Sequence, residues 1–169
     1  IRDKDFIGHD DDLDIGTFDL DNETKKKLSD ILVSKGMKRF KRYEMDGIII
    51  EEAFRYNDTH IDIFYYHRGE NKTIWCYFCD IGPKMEFQNF PDYQLAKGYR
   101  THKVTSRFEG LMPYNFKGEV FNIPSNYDEY LKDNYGESYM IKMENWDSEQ
   151  SSPNIEFVGT DKVLVKEYI

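Results

Sequence analysis

Cysteine is scarce in this chain, with two in 169 residues, and no second Cys or His pair follows at zinc-finger spacing. Those two, Cys76 and Cys79, lie in Ile74-Trp75-Cys76-Tyr77-Phe78-Cys79. This stretch alternates like a strand, so they read as buried free thiols rather than a redox or metal pair. Long apolar runs are missing too. Nothing approaches the roughly 18–20 residues that a bilayer-spanning helix requires, and no signal-peptide pattern is present. Basic residues are outnumbered, 23 Lys and Arg against 32 Asp and Glu, and the net charge of −9 argues against nucleic-acid backbone binding. Repeats and low-complexity blocks are absent. What remains is 39% hydrophobic and 16% aromatic, the composition of a folded chain, and the length fits a single domain over residues 1–169.

Negative charge is concentrated near the start, in Asp10-Asp11-Asp12-Leu13-Asp14-Ile15-Gly16. Like charges repel and Asp is a poor strand former, so the run is costly unless a divalent cation sits among the carboxylates. Leu13, Ile15 and Phe18 mark the beginning of a strand. In a strand, residues i and i+2 share a face, roughly 6.5–7 Å apart at Cα. Asp12 and Asp14 then form a pair able to hold Mg²⁺, with Mn²⁺ as substitute. An acidic loop ahead of a strand is the plain alternative for such a pair taken alone. In His60-Ile61-Asp62-Ile63-Phe64 a further Asp interrupts an apolar strand, on the face away from Ile61 and Ile63. If the two strands are neighbours, three carboxylates converge, the minimum for metal-assisted phosphoryl transfer.

Elsewhere Asp21 or Asn22 is placed to cap a helix to about Ser34, with Leu28, Ile31 and Leu32 as its apolar stripe and Gly36 as its stop. Lys25-Lys26-Lys27 reads as its solvated face, and Lys38, Arg39, Lys41 and Arg42 as a solvated strand face. Strand-like runs follow at 37–43, 48–55, 60–66 and 73–79. Residues 80–115, with Pro83, Pro91 and Pro113, read as a long irregular region with some strand near 99–107. A strand at 119–123 and a helix after Ser125, ending before Gly136, come next, then a polar tail from Trp146 to Asn154. One strand, a helix and a meander of strands predict an α+β arrangement, a mixed sheet with flanking helices. His60, His67 and His102 lack ligand-like spacing and read as satisfied histidines.

Phe6-Ile7-Gly8-His9-Asp10-Asp11-Asp12-Leu13-Asp14-Ile15-Gly16 resembles the acidic motif of the LicD/fukutin family of the nucleotidyltransferase-fold superfamily. His60–Phe64 is similar to that family's third-aspartate strand. Phe121-Asn122-Ile123-Pro124, Tyr130-Leu131 and Asn134-Tyr135-Gly136 follow its C-terminal pattern in order, and Trp146-Asp147 and Ser152-Pro153-Asn154 resemble the fukutin branch. The resemblance implies a nucleotidyltransferase-like fold whose glycine-rich phosphate-holding motif would precede Ile1, the N-terminal part of the fold lying outside this sequence. It also implies a transferase moving ribitol phosphate, glycerol phosphate or phosphocholine from a CDP-linked donor to a glycan hydroxyl. Asp12, Asp14 and Asp62 would carry catalysis and, with Asp10, the metal; Arg2 and His9 would contact the donor. The shared metal site leaves open a nucleotidyltransferase that attaches NMP to a small molecule or protein. A non-catalytic glycan- or calcium-binding module is a third reading. Bacterial members working on capsule or wall polymers are cytoplasmic and animal relatives lie in the Golgi lumen; the Lys-, Asn-, Tyr- and Ile-rich composition favours the former.

Overall fold

A computed structural model describes residues 4–6, 12–142 and 151–169. Arg2, His9, Asp10, Asp11 and the Trp146-Asp147 motif lie outside the described residues. The element order is β1 (Asp12–Phe18), α1 (Asn22–Ser34), β2 (Lys38–Met45), β3 (Ile48–Tyr56), β4 (Thr59–Arg68), β5 (Thr73–Asp80), β6 (Glu86–Asn89), β7 (Tyr93–Lys97), β8 (Arg100–Arg107), β9 (Leu111–Phe116), β10 (Glu119–Pro124), α2 (Tyr127–Tyr135), β11 (Ile155–Thr160) and β12 (Val163–Tyr168). The chain divides into two compact units. One takes the described residues within Asp11–His67, Cys76–Lys103 and Glu156–Ile169, the other those within Ile1–Asp10, Arg68–Trp75 and Val104–Ile155.

The expected α+β nucleotidyltransferase-like fold with flanking helices is not what forms. Strands make up 54% of the described residues and helices 15%, and the pairing is mostly antiparallel. The ten-stranded sheet runs β11-β8-β5-β4-β3-β2-β12-β7-β6, with β1 added to β4 off that path. Two stretches account for the difference. Residues 80–115, expected to be irregular apart from some strand near 99–107, contain β6, β7 and part of β9 in addition to the expected β8, and the C-terminal β12 inserts between β2 and β7. Val163 and Val165 of β12 are almost wholly buried, with Ala96 and Tyr43 in the same apolar cluster.

In the first unit, β2 and β3 form a hairpin through Asp46 and Gly47, whose φ angles of 50° and 77° are those of a twisted two-residue turn. Asn22 ties α1 to this turn: its amide donates to the Gly47 carbonyl at 2.7 Å and accepts from the Ile49 N–H at 3.0 Å. Asp21 is the N-cap, accepting from the Thr24 N–H. Helix α1 covers one face of β3 and β4 through a cluster of Ile49, Phe54, Ile61, Ile63 and Tyr65, with Leu32 and Met37 packed against it. Lys25 is not on a solvated face. It is 1% exposed, its ammonium donating to Asp19 at 2.8 Å and to the Ile49 carbonyl at 2.9 Å, above the Tyr65 ring. Nor do the β2 cations form a solvated face: Arg42 pairs with buried Glu52, and Lys41 with Glu167.

In the second unit, β9 and β10 form a hairpin closed by Lys117 and Gly118. The stretches singled out near the C-terminus meet there. Asn134 of α2 and Asn154 both donate to the Ser106 hydroxyl, at 3.1 and 3.0 Å, and Asn154 also donates to the Asn134 side chain at 3.1 Å. Arg107 grips Asp133 of α2 at 2.7 Å. Two distant asparagines thus pin α2 to β8, a structural role for this part of the pattern.

Candidate metal centre

Strand β4 is flanked on one edge by β1, parallel, and on the other by β3, antiparallel, so three rows of cross-strand neighbours share a face. The first row is Asp12, His60 and Arg55. The second is Asp14, Asp62 and Ala53, extended by Lys41 of β2; a register shift between Arg39 and Lys41 sets that alignment. The third is Gly16, Phe64, Glu51 and Tyr43. The alternation in β1 and β4 therefore places Asp12, Asp14 and Asp62 together, as their sequence spacing requires if the strands pair.

One oxygen from each of these three carboxylates lies within 4.8 Å of the others. Asp12 and Asp14 are exposed and Asp62 is half-buried. Burial, and then the neighbouring Asp12 charge, pushes the Asp62 carboxyl above its ordinary value, against the pull of His60 and Lys41. An all-oxygen, all-acidic donor set suits a hard divalent cation such as Mg²⁺, Mn²⁺ or Ca²⁺. Gly16 belongs to the same construction: a Cβ there would stand 2.9 Å from Cε2 of Tyr66, so only glycine lets that ring lie over β1.

Cationic and aromatic groups border the carboxylates at the Asp12 end. Arg55 donates from Nε to His60 Nε2 at 3.1 Å, and its guanidinium lies 3.8 Å from the centre of the Phe40 ring. The His60 ring meets Phe40 edge-on, 5.3 Å between centres. His60 is thus a satisfied strand histidine, as its spacing suggests, and it also borders the site. Arg55, Lys41 and Glu51 are further members that sequence reasoning missed. The signal for Glu51 was present: Glu51-Glu52 interrupts an apolar strand, and adjacent strand residues cannot both face solvent when both faces are covered. Asp14, Asp12 and Asp62 are where the sequence put them; Asp10, Arg2 and His9 fall outside the described residues.

His67 and His102 lie elsewhere in contacts of their own, His67 with Asp19 at 3.1 Å and His102 with Asp80 at 3.1 Å. A depression lined by Glu44, Asp46, Glu86, Lys97, Asp161 and Lys162 includes none of the three carboxylates and is mixed in charge.

No family model, curated protein or solved structure matches this chain. The functional reading rests on the site. Among the described residues no helix is long and apolar enough to cross a membrane.

Proposed function

We propose that the chain is a divalent-cation-dependent transferase that moves a phospho-alcohol group from a CDP-linked donor to a glycan hydroxyl. The observation that carries this reading is the convergence of Asp12, Asp14 and Asp62 within 4.8 Å, on paired strands nearly fifty residues apart in sequence. The local resemblance of the Asp12–Gly16 and His60–Phe64 segments to the LicD/fukutin motifs supplies the reaction class; the fold supplies none of it.

Asp12 and Asp14 would hold Mg²⁺ on the solvent side, and the ion would offset charge on the donor diphosphate and on the departing CMP. Asp62, whose raised proton affinity suits a base, accepts the proton of the acceptor hydroxyl. The hydroxyl oxygen attacks the phosphorus that carries the alcohol, the bond to the CMP oxygen breaks, and CMP leaves with that electron pair. Arg55, one strand beyond His60, offers a guanidinium to phosphate oxygens beside the acidic cluster.

The test is release of CMP from CDP-ribitol, CDP-glycerol and CDP-choline, and of pyrophosphate from plain nucleoside triphosphates, by the full chain with Mg²⁺ or Mn²⁺. CMP release that disappears in Asp12→Asn and Asp62→Asn is the expected result. Pyrophosphate release instead would move the assignment to a nucleotidyltransferase. Cation binding without any turnover would make the chain a binding module. Undiminished CMP release in either variant would overturn the three-carboxylate mechanism.

A further inference from the structure

We propose that Arg55 and Lys38 form a phosphate-binding subsite, held in place by Phe40 and His60, that takes a phosphate of the diphosphate donor beside the cation. The proposal rests on the reading of Asp12, Asp14 and Asp62 as a donor-binding cation site and deepens it. Cross-strand pairing lines up Asp12 of β1, His60 of β4, Arg55 of β3 and Lys38 of β2 in one row on one face. Neighbouring strands lie about 4.8 Å apart, so Arg55 stands about 10 Å from Asp12 at the backbone. The row therefore runs from a carboxylate, through a histidine, to two exposed cations.

The other cations of β2 are committed within the chain: Arg39 to Asp30, Lys41 to Glu167 and Arg42 to Glu52. Arg55 and Lys38 hold no carboxylate among the described residues, in a chain whose net charge is −9. Arg55 is nonetheless fixed in direction. Its Nε donates to His60 Nε2 at 3.1 Å, and its guanidinium lies 3.8 Å from the centre of the Phe40 ring. A β-bulge puts that ring there: Arg39 pairs with Phe54 and Lys41 with Ala53, which leaves Phe40 as the extra residue, re-aimed out of the alternation. The same ring meets His60 edge-on at 5.3 Å, so one side chain holds both members of the Arg55–His60 bond. An arginine anchored through Nε keeps the donors of its two terminal amino groups for a ligand, and a stacked guanidinium has less freedom to lose on binding. Such a fork matches two oxygens of one phosphate. His60 acts on that phosphate only through Arg55, as a positioning residue. A cation at the carboxylate end of the row and a guanidinium at the other answer the two phosphates of a diphosphate, which the carboxylates alone would repel.

The experiment is calorimetric binding of CDP to the full chain with Mn²⁺ present, beside Mn²⁺ binding alone by water-proton relaxation. It compares wild type with Arg55→Ala, Arg55→Gln, Lys38→Ala, His60→Leu and His60→Gln, and thermal unfolding shows which variants are folded. We expect Arg55→Ala to weaken CDP tenfold or more and to leave Mn²⁺ affinity unchanged. If Arg55→Ala does not fold, Arg55→Gln decides by the same criterion. Lys38→Ala should weaken CDP severalfold, and unchanged affinity overturns its part in the subsite. His60→Leu should also weaken CDP, while His60→Gln, whose side-chain oxygen can accept from Arg55 Nε, should restore it. Equal losses in the two His60 variants overturn the positioning role. Wild-type CDP affinity in folded Arg55→Ala overturns the subsite and, with Mn²⁺ still bound, leaves the three-carboxylate site standing. Absence of CDP binding to wild type overturns the subsite as well. A loss of CDP affinity in Arg55→Ala, in a chain that releases no CMP from CDP-linked donors, supports the subsite and overturns the transferase reading.

Discussion

Glu51 and Glu52 are consecutive, sit on the same strand, and are both buried, at 5% and 0% exposure, yet they have opposite surroundings. Glu52 faces α1. Arg42 holds its Oε1 from Nε at 2.9 Å, and the Tyr65 hydroxyl donates to its Oε2 at 2.7 Å. Lys25 on that side is likewise answered within the chain, by Asp19 and the Ile49 carbonyl. Glu51 faces the acidic cluster, where like charges accumulate and an oxygen is left without a partner. One face of β3 is thus finished by folding, while the other keeps a buried carboxylate oxygen that meets no partner among the described residues. Internal ion pairing and the candidate site lie on the two sides of a single strand.

The largest effect should come from breaking the finished side. Glu52→Ala strands the Arg42 guanidinium in the interior, and loss of one partner of a buried pair costs about 3–5 kcal/mol. Tyr65→Phe removes the donor to Glu52 Oε2 and leaves that oxygen unsatisfied, which should cost about 1–3 kcal/mol. Glu51→Gln should cost nothing or stabilise the metal-free protein, because it removes repulsion without removing a bond. Urea unfolding of the three variants in chelator gives the order directly. A Glu51→Gln variant destabilised as much as Glu52→Ala would erase the contrast between the faces.

Much of the finished side was legible in the sequence. Asp21 is the helix cap its residue type and position announced, Gly36 follows α1 as its stop with φ at 97°, β4 and β5 follow their alternation, and β3 forms where its strand-like run lies. The pairing of β1 with β4 could be stated only as a condition, since register is a tertiary fact. Lys25 was misread because a Lys-Lys-Lys run carries no sign of which lysine lies beneath the helix; only Asp19 and the hairpin carbonyl decide it. The fold class was missed for a related reason. Strands β6 and β7 are four and five residues long and lie among prolines, and β12 is held by neighbours from distant parts of the chain. Short strands in such a sheet acquire their conformation from pairing, which local propensity does not encode.

The next smaller effect is a pH dependence carried by the unfinished side. Burial first, and then Asp62 and Asp14, raise the Glu51 carboxyl well above its ordinary 4.5, and burial with Asp12 raises Asp62 above 3.8. A carboxyl whose folded value is raised makes the folded state bind more protons than the unfolded chain. Its stabilising contribution is fully present below the unfolded value and is lost as pH rises through the folded one. Metal-free wild type should therefore lose stability across that interval on going from acid toward neutral pH, at no more than about 1.4 kcal/mol per pH unit for each such group. Glu51→Gln should flatten the slope, and saturating Mn²⁺ should reverse it, because the cation binds the ionised carboxylates. Chemical unfolding at half-unit pH steps measures all three. Equal slopes in wild type and Glu51→Gln would mean that Glu51 meets a compensating charge in the folded chain.

The smallest effect concerns the two thiols, which report on the same face from further away. Cys76 is pushed up to about 12, first by burial and then by the Glu51 and Asp14 charges, against a hydrogen bond from Tyr66; Cys79 is raised further, chiefly by burial with Glu51 next. The thiolate is the reactive form, so at pH 8 the fraction available at Cys76 is on the order of one in ten thousand. Native protein should release no thiol equivalent to an aromatic disulfide reagent over minutes, and two should appear in urea. Glu51→Gln removes one of the charges that hold the thiols protonated, so it should speed native labelling of Cys76 and Cys79 slightly, and Mn²⁺ added to wild type should act in the same direction. Glu52→Gln on the finished face should leave Cys76 unmoved by charge, and any acceleration there must come through opening of the fold. Labelling that tracks global unfolding in Glu52→Gln but not in Glu51→Gln separates the two faces by a chemical rate, even where their stabilities are too similar to tell apart.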